Sequence, residues 1–190
     1  MKRALIAFLA LMLGAGTSVA ESNVPRFKGM AIISSELSAR IATREEPFEL
    51  DQFMPADGLD ELAGTWSSFG SEHHFTNGEP NPVNMVILYA SLSGFAEAMG
   101  KSCAEPQLSL NDNFADTLEQ ICEWPNAEAK SEPAMMAFWL GLMGYDAPKE
   151  EFLAWRDYFL TARYRDRPAN EAIAAMTLAI AMNPYFLVQK

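Results

Sequence analysis

The hydrophobic residues of this chain recur mostly at helical spacing. Met30, Ile33, Leu37 and Ile41 lie three to four residues apart, which places them on one face of an amphipathic helix. Strand-like alternation is not sustained in any segment, so the pattern predicts an all-α protein, an irregular bundle of about six or seven helices. The same helical spacing recurs in later segments, which contain Leu88, Leu92 and Phe95; Phe114, Leu118 and Ile121; Trp139, Leu140 and Met143; Phe152, Trp155 and Phe159; and Ile173, Met176 and Ile180.

Turn and capping residues mark where several of these helices begin and end. Asn81-Pro82 predicts a helix start, because proline suits the first helical position. That helix is apolar on nearly all sides up to Met99, which predicts a central place in the bundle, and Gly100 is a natural stop. The polar residues 126–131 indicate a linker, and a helix is predicted from Ser131 onwards.

The first 20 residues have the pattern of a secretory signal peptide. Lys2 and Arg3 precede an apolar run from Ala4 to Leu13, and small residues lead to Ala20. An apolar run of this length is too short to span roughly 30 Å of hydrocarbon as a helix. We therefore expect cleavage after Ala20, a single helical domain over residues 21–190, and a location in the periplasm or outside the cell, not in a membrane.

Charge is concentrated in the middle of the chain. The net charge is −11, and residues 45–146 hold 18 acidic side chains against two basic ones, Lys101 and Lys130. An acidic surface repels phosphate backbones and anionic lipid, which disfavours nucleic-acid binding and electrostatic membrane docking. Solubility and docking against the chain's own basic ends explain such a charge, and the alternatives are a cationic partner or a metal ion. As a partner we expect a protein with a basic face.

Only two cysteines occur, Cys103 and Cys122. An isolated pair in an exported chain most simply forms one structural disulfide. A redox-active pair is the alternative, but the Cys-x-x-Cys spacing of thioredoxin-like chemistry is absent.

The last part of the chain carries a family resemblance. Phe138-Trp139, Gly144-Tyr145 with Pro148 and Glu151, and the run Asn183–Leu187 resemble the closing helices of uncharacterised secreted bacterial domains, which often occur with cytochrome c modules. The resemblance implies an extracytoplasmic helical domain and no activity. Because Cys-x-x-Cys-His is absent, no covalent haem is expected, and no other cofactor is predicted.

Candidate metal ligands are confined to one stretch of the sequence. His73 and His74 are the only histidines and follow Glu72 in a predicted loop. Histidine is a common ligand of copper and zinc. This stretch would therefore suit a metal-binding protein or a metal-assisted oxidase or hydrolase. Adjacent histidines lack the i, i+4 spacing that shares one ion, so a polar surface loop is the competing interpretation.

Two further features suit contact with a partner. Trp124 precedes Pro125 at a predicted helix end, and Arg163, Arg165 and Arg167 form the one dense basic cluster. Exposed aromatic and arginine side chains are typical of protein interfaces, but core packing for Trp124 and a solvated helix end for the arginines are the simpler interpretations. Because no residues are found at a spacing typical of a catalytic site, the sequence predicts an exported, non-catalytic interaction module. Such a module would be an accessory subunit of a larger assembly.

Overall fold

The computed structural model describes residues 26–54, 82–123, 128–164 and 167–189. The predicted signal peptide and the predicted histidine loop lie outside these ranges. Seven α-helices, a 3-10 helix and two short strands occur in the described residues: β1 Arg26–Phe27, α1 Met30–Ile41, the 3-10 helix Leu50–Phe53, α2 Pro82–Lys101, α3 Asp112–Cys122, α4 Glu128–Met143, α5 Lys149–Tyr164, α6 Ala169–Ala181, α7 Pro184–Leu187 and β2 Val188–Gln189. The predicted all-α fold class is confirmed.

Helix α1 forms as its hydrophobic spacing predicts. Ile33, Leu37 and Ile41 are fully buried. On the same helix, the buried hydroxyl of Ser34 accepts a hydrogen bond from the backbone N–H of Leu50 at 2.8 Å. The hydroxyl of Ser38 likewise accepts from Phe48. These two bonds satisfy buried polar groups and hold the chain after α1 against the helix that precedes it.

Helix α2 packs most extensively against α6 and the 3-10 helix, and two glycines permit this closeness. A Cβ at Gly94 would lie 1.9 Å from the carbonyl oxygen of Phe53, and one at Gly100 would lie 2.2 Å from that of Asn170. Any larger residue would therefore force the backbones apart.

Not all of the apolar residues of α2 are buried. Leu88 and Leu92 are fully buried, but Val86 and Tyr89 are 54% and 52% exposed. They lie on a side of the helix that its described neighbours do not cover. When both sides of a helix are apolar, periodicity cannot predict which of them will be covered. The helix also continues one residue past Gly100, to Lys101.

Helix α4 differs from its prediction in where it begins and in which of its apolar residues are buried. It begins at Glu128, so part of the predicted linker is helical, and Pro133 lies inside the helix. Pro133 is the sixth residue of this helix, so its missing N–H leaves the carbonyl four residues earlier without its usual intrahelical hydrogen bond. Trp139 and Met143 are buried as expected, whereas Leu140 is 43% exposed.

Helices α3, α4 and α6 join in the centre of one continuous core. Phe114 of α3 stacks on Phe138 of α4 with ring centroids 5.3 Å apart. Ile173 and Met176 of α6 are buried beside them in the same core. This core fixes α3, which carries one wall of the site described below.

A two-residue antiparallel strand pair closes the bundle, with Arg26 opposite Gln189 and Phe27 opposite Val188. Two residues are too few to produce a visible alternation, so the sequence did not predict the pair. None of the helices in the described ranges is both long and apolar enough to cross a membrane.

Candidate acidic cleft beside the disulfide

The predicted disulfide is present. Cys103 and Cys122 are joined, with their Cα atoms 5.5 Å apart, and both side chains are partly buried against the core. The bond connects the turn after α2 with the last residue of α3. It closes residues 103–122 into a covalent loop, called the disulfide ring below.

Backbone contacts anchor the ring to the end of α1. Asn111 donates its N–H to the carbonyl of Ile41 at 2.9 Å and its side-chain amide to the carbonyl of Arg40 at 2.8 Å. Its side-chain oxygen accepts the N–H of Phe114 at 3.0 Å, as expected of a helix N-cap. Asn111 therefore both starts α3 and ties it to α1.

A cleft of about 750 Å³ opens beside the disulfide. Thr43, Glu45 and Glu46 line it from the connection after α1, and its other described lining residues lie between Ser102 and Glu123. Its apolar lining residues are the disulfide itself together with Pro106, Leu108, Leu110, Ala115 and Leu118. Because Leu108 and Leu118 are buried, they form the floor.

Four carboxylates form the rim of this acidic cleft. Glu45 and Glu46 come from the connection after α1, and Glu119 and Glu123 from the end of α3. All four side chains are exposed. Glu46 accepts a hydrogen bond from the hydroxyl of Ser109, which holds this carboxylate against the ring.

No lysine or arginine is among the described residues that line the acidic cleft. Arg44 is exposed and does not line it. The ammonium group of Lys101 lies 2.7 Å from the carboxylate of Glu97, one turn back along α2. Within the described lining, the four negative charges are therefore not offset by a positive one.

The position of two of these carboxylates is unfavourable for the helix that carries them. Glu119 lies in the last turn of α3 and Glu123 is its C-cap, with no basic residue in that turn. The C-terminal end of a helix bears partial negative charge, so nearby anions destabilise it. Helix formation alone therefore does not account for these two charges.

This arrangement suits binding of a cation with an apolar portion. Carboxylates on a rim pair with ammonium or guanidinium groups, and the floor removes apolar surface from water. Across the described ranges, no group of three metal-ligating side chains is close enough together to hold a metal ion.

Of the remaining residues singled out from the sequence, only Arg167 has a described side chain. The candidate partner residue Arg167 is exposed just before α6 and does not line the acidic cleft. Arg163 lies in α5, with its side chain outside the described part of the structure. Also outside it are Glu72, His73, His74, Trp124 and Arg165, so their roles stay predictions.

Sequence reasoning anticipated the acidic character but missed the acidic cleft itself. Glu45 and Glu119 are far apart in the chain, and only the pairing of the ring with the end of α1 brings their segments together. One local signal was available: acidic residues next to Cys122, at a predicted helix end where they oppose the helix dipole.

Comparison of the chain with protein-family models, with curated proteins and with solved structures found no match. The resemblance of residues 138–187 to secreted helical domains therefore stays a prediction. The function of the chain has to be argued from its own geometry.

Proposed function

We propose that this protein is a non-catalytic interaction module that binds the basic face of a protein partner in the acidic cleft. The observation that carries the proposal is the set of four rim carboxylates above an apolar floor, with no basic residue in the described lining. A cation entering the cleft would meet uncompensated negative charge from two sides of the chain.

The cleft's chemistry specifies the form of the ligand. A lysine or arginine side chain would pair with the rim, and a neighbouring aliphatic side chain would cover Leu108 and Leu118 on the floor. Surface charge sets the association rate and selects the partner's sign, and apolar contacts with the floor add to the affinity. The ligand is therefore a segment in which basic and aliphatic residues adjoin.

The same proposal places the protein outside the cytoplasm, as an accessory subunit of a larger assembly. The Cys103–Cys122 bond supports this location, because disulfides persist mainly in oxidising compartments. The predicted signal peptide at residues 1–20 supports it independently.

A defined peptide tests the binding function. We expect a short peptide of alternating lysine and leucine to bind the oxidised protein, measured by fluorescence anisotropy or calorimetry at low salt. Affinity should fall steeply towards 1 M salt, where the screening length is about 3 Å. A peptide of alternating glutamate and leucine is the charge control, and equal binding of both peptides would contradict the proposal.

Paired variants locate the binding site. The double variant Glu119→Gln and Glu123→Gln should weaken lysine–leucine peptide binding by roughly two- to thirtyfold, since each exposed ion pair is worth roughly 0.2–1 kcal/mol. The matched control, Glu150→Gln and Glu171→Gln, removes the same net charge from exposed positions on α5 and α6. An equal loss of affinity in both double variants would show that only overall charge matters.

A further inference from the structure

The acidic cleft is built largely from the disulfide ring, and the disulfide itself lines it. We propose that the Cys103–Cys122 bond is a redox switch for this site: reduction by a dithiol opens the cleft and releases the basic partner. This inference rests on the proposed binding function and adds its regulation.

The disulfide is the main link between the two helices whose ends it joins. Helix α2 packs closely on α6 and on the 3-10 helix, and α3 packs closely on α4 and α6. Among the described elements, α2 and α3 are not a closely packed pair. Without the covalent bond, the exposed residues 104–107 would no longer be linked directly to the last residue of α3.

Separation would act directly on the ligand-binding groups. Glu119 and Glu123 flank Cys122 on the α3 side, whereas Pro106 and Leu108 belong to the segment that follows Cys103. The backbone N–H of Gln107 in this segment donates to the hydroxyl of Ser102, but that bond is exposed to solvent and does not reach α3. Opening the ring would therefore loosen Pro106 and the Glu123 end of α3, while Leu108 and Leu118 stay in the core.

The helical bundle does not depend on the same bond. Phe114, Leu118 and Ile121 of α3 are buried in the main core, and Asn111 ties the start of α3 to α1. These contacts remain after reduction. A local change at the acidic cleft, with the helices retained, is the expected result.

The reduction is ordinary thiol–disulfide exchange, and the two partly buried cysteines line the cleft. A thiolate of the dithiol attacks one sulfur, giving a mixed disulfide, and the other cysteine leaves as a thiolate that takes up a proton. The second thiol of the dithiol then attacks its own mixed disulfide and releases the second cysteine. The protein gains two electrons and two protons, and the dithiol becomes a cyclic disulfide.

Linkage adds a second consequence. If reduction weakens binding by some factor, binding must stabilise the disulfide against reduction by the same factor. A saturating basic ligand should therefore shift the dithiol–disulfide equilibrium of the protein towards the oxidised form.

The experiment compares the oxidised protein with protein reduced by dithiothreitol, using the lysine–leucine peptide as the probe and circular dichroism to follow helix content. We expect roughly tenfold or greater loss of affinity on reduction, because the binding site is then no longer preorganised, with helix content retained. The Cys103→Ser and Cys122→Ser double variant should bind as weakly as the reduced protein, and dithiothreitol should not change it further.

Each other outcome is decisive. Equal affinity of the oxidised and reduced proteins would overturn the switch and leave the proposed binding function intact. Loss of the helical signal on reduction would also overturn it, since the bond would then support the whole fold. A peptide that binds neither form would refute the binding function and the switch together.

Discussion

Removing the two carboxylates at the end of α3 should make the protein more stable while weakening its binding site. The perturbation is the double variant Glu119→Gln and Glu123→Gln, which keeps side-chain size and polarity while removing the charge. Both groups are exposed and lie in the last turn and at the C-cap of α3, where no basic residue offsets them. The change therefore acts mainly through charge.

The magnitude follows from two electrostatic effects. Each carboxylate near the negative end of the helix dipole costs roughly 0.3–1 kcal/mol at low salt. The two side chains are also four residues apart, and a like-charged pair at that spacing costs roughly 0.2–0.5 kcal/mol more. We expect the free energy of unfolding to rise by roughly 0.8–2.5 kcal/mol, and each kcal/mol corresponds to roughly 2–4 °C in Tm for a chain of this size.

The assay is urea and thermal unfolding, followed by circular dichroism at neutral pH and low salt. The control is Glu150→Gln with Glu171→Gln, which removes the same charge from the first turns of α5 and α6. Carboxylates there complement the positive end of the dipole, so this control should lose stability. If both double variants shift stability in the same direction, net charge rather than helix position is responsible, and the reasoning is refuted.

Three further predictions test the packing and the export of the chain. Gly100→Ala should lower the free energy of unfolding by roughly 1–3 kcal/mol, because the added Cβ would lie 2.2 Å from the carbonyl oxygen of Asn170; unchanged urea unfolding would contradict this contact. Phe114→Ala should cost roughly 3–5 kcal/mol in the same measurement, since it leaves a cavity in the core, and a loss below 1 kcal/mol, small for such a cavity, would show that α3 packs differently. Mass spectrometry of the exported protein should find its N-terminus directly after Ala20, and a retained Met1 would refute cleavage.

Local patterns were enough to predict the helices. Ile33, Leu37 and Ile41 recur at helical spacing and are buried as expected. Residues three to four positions apart in a helix share one face, whatever packs against it. Asn111 was not singled out from the sequence as the N-cap of α3, although its cap bond to Phe114 spans only three residues and is therefore a local signal. The disulfide was predictable because the sequence offers only one cysteine pair.

Patterns within one helix could not decide which of its apolar sides would be covered. Leu88 is buried while Val86, two residues away, is 54% exposed, and Leu140 is similarly left outside. Burial depends on where α6 and the 3-10 helix pack against α2, and those contacts join residues distant in the chain.

The sequence by itself determined the helices, their main core residues, the cysteine pairing and the acidic character of the middle of the chain. All of these depend on neighbours along one helix, on residue type or on counting. Only the tertiary structure decided that Glu45 and Glu46 would share a rim with Glu119 and Glu123. That juxtaposition depends on the pairing of residues 41–43 with 109–111 and on the covalent closure of the ring, and neither long-range contact has a periodic signature in the sequence.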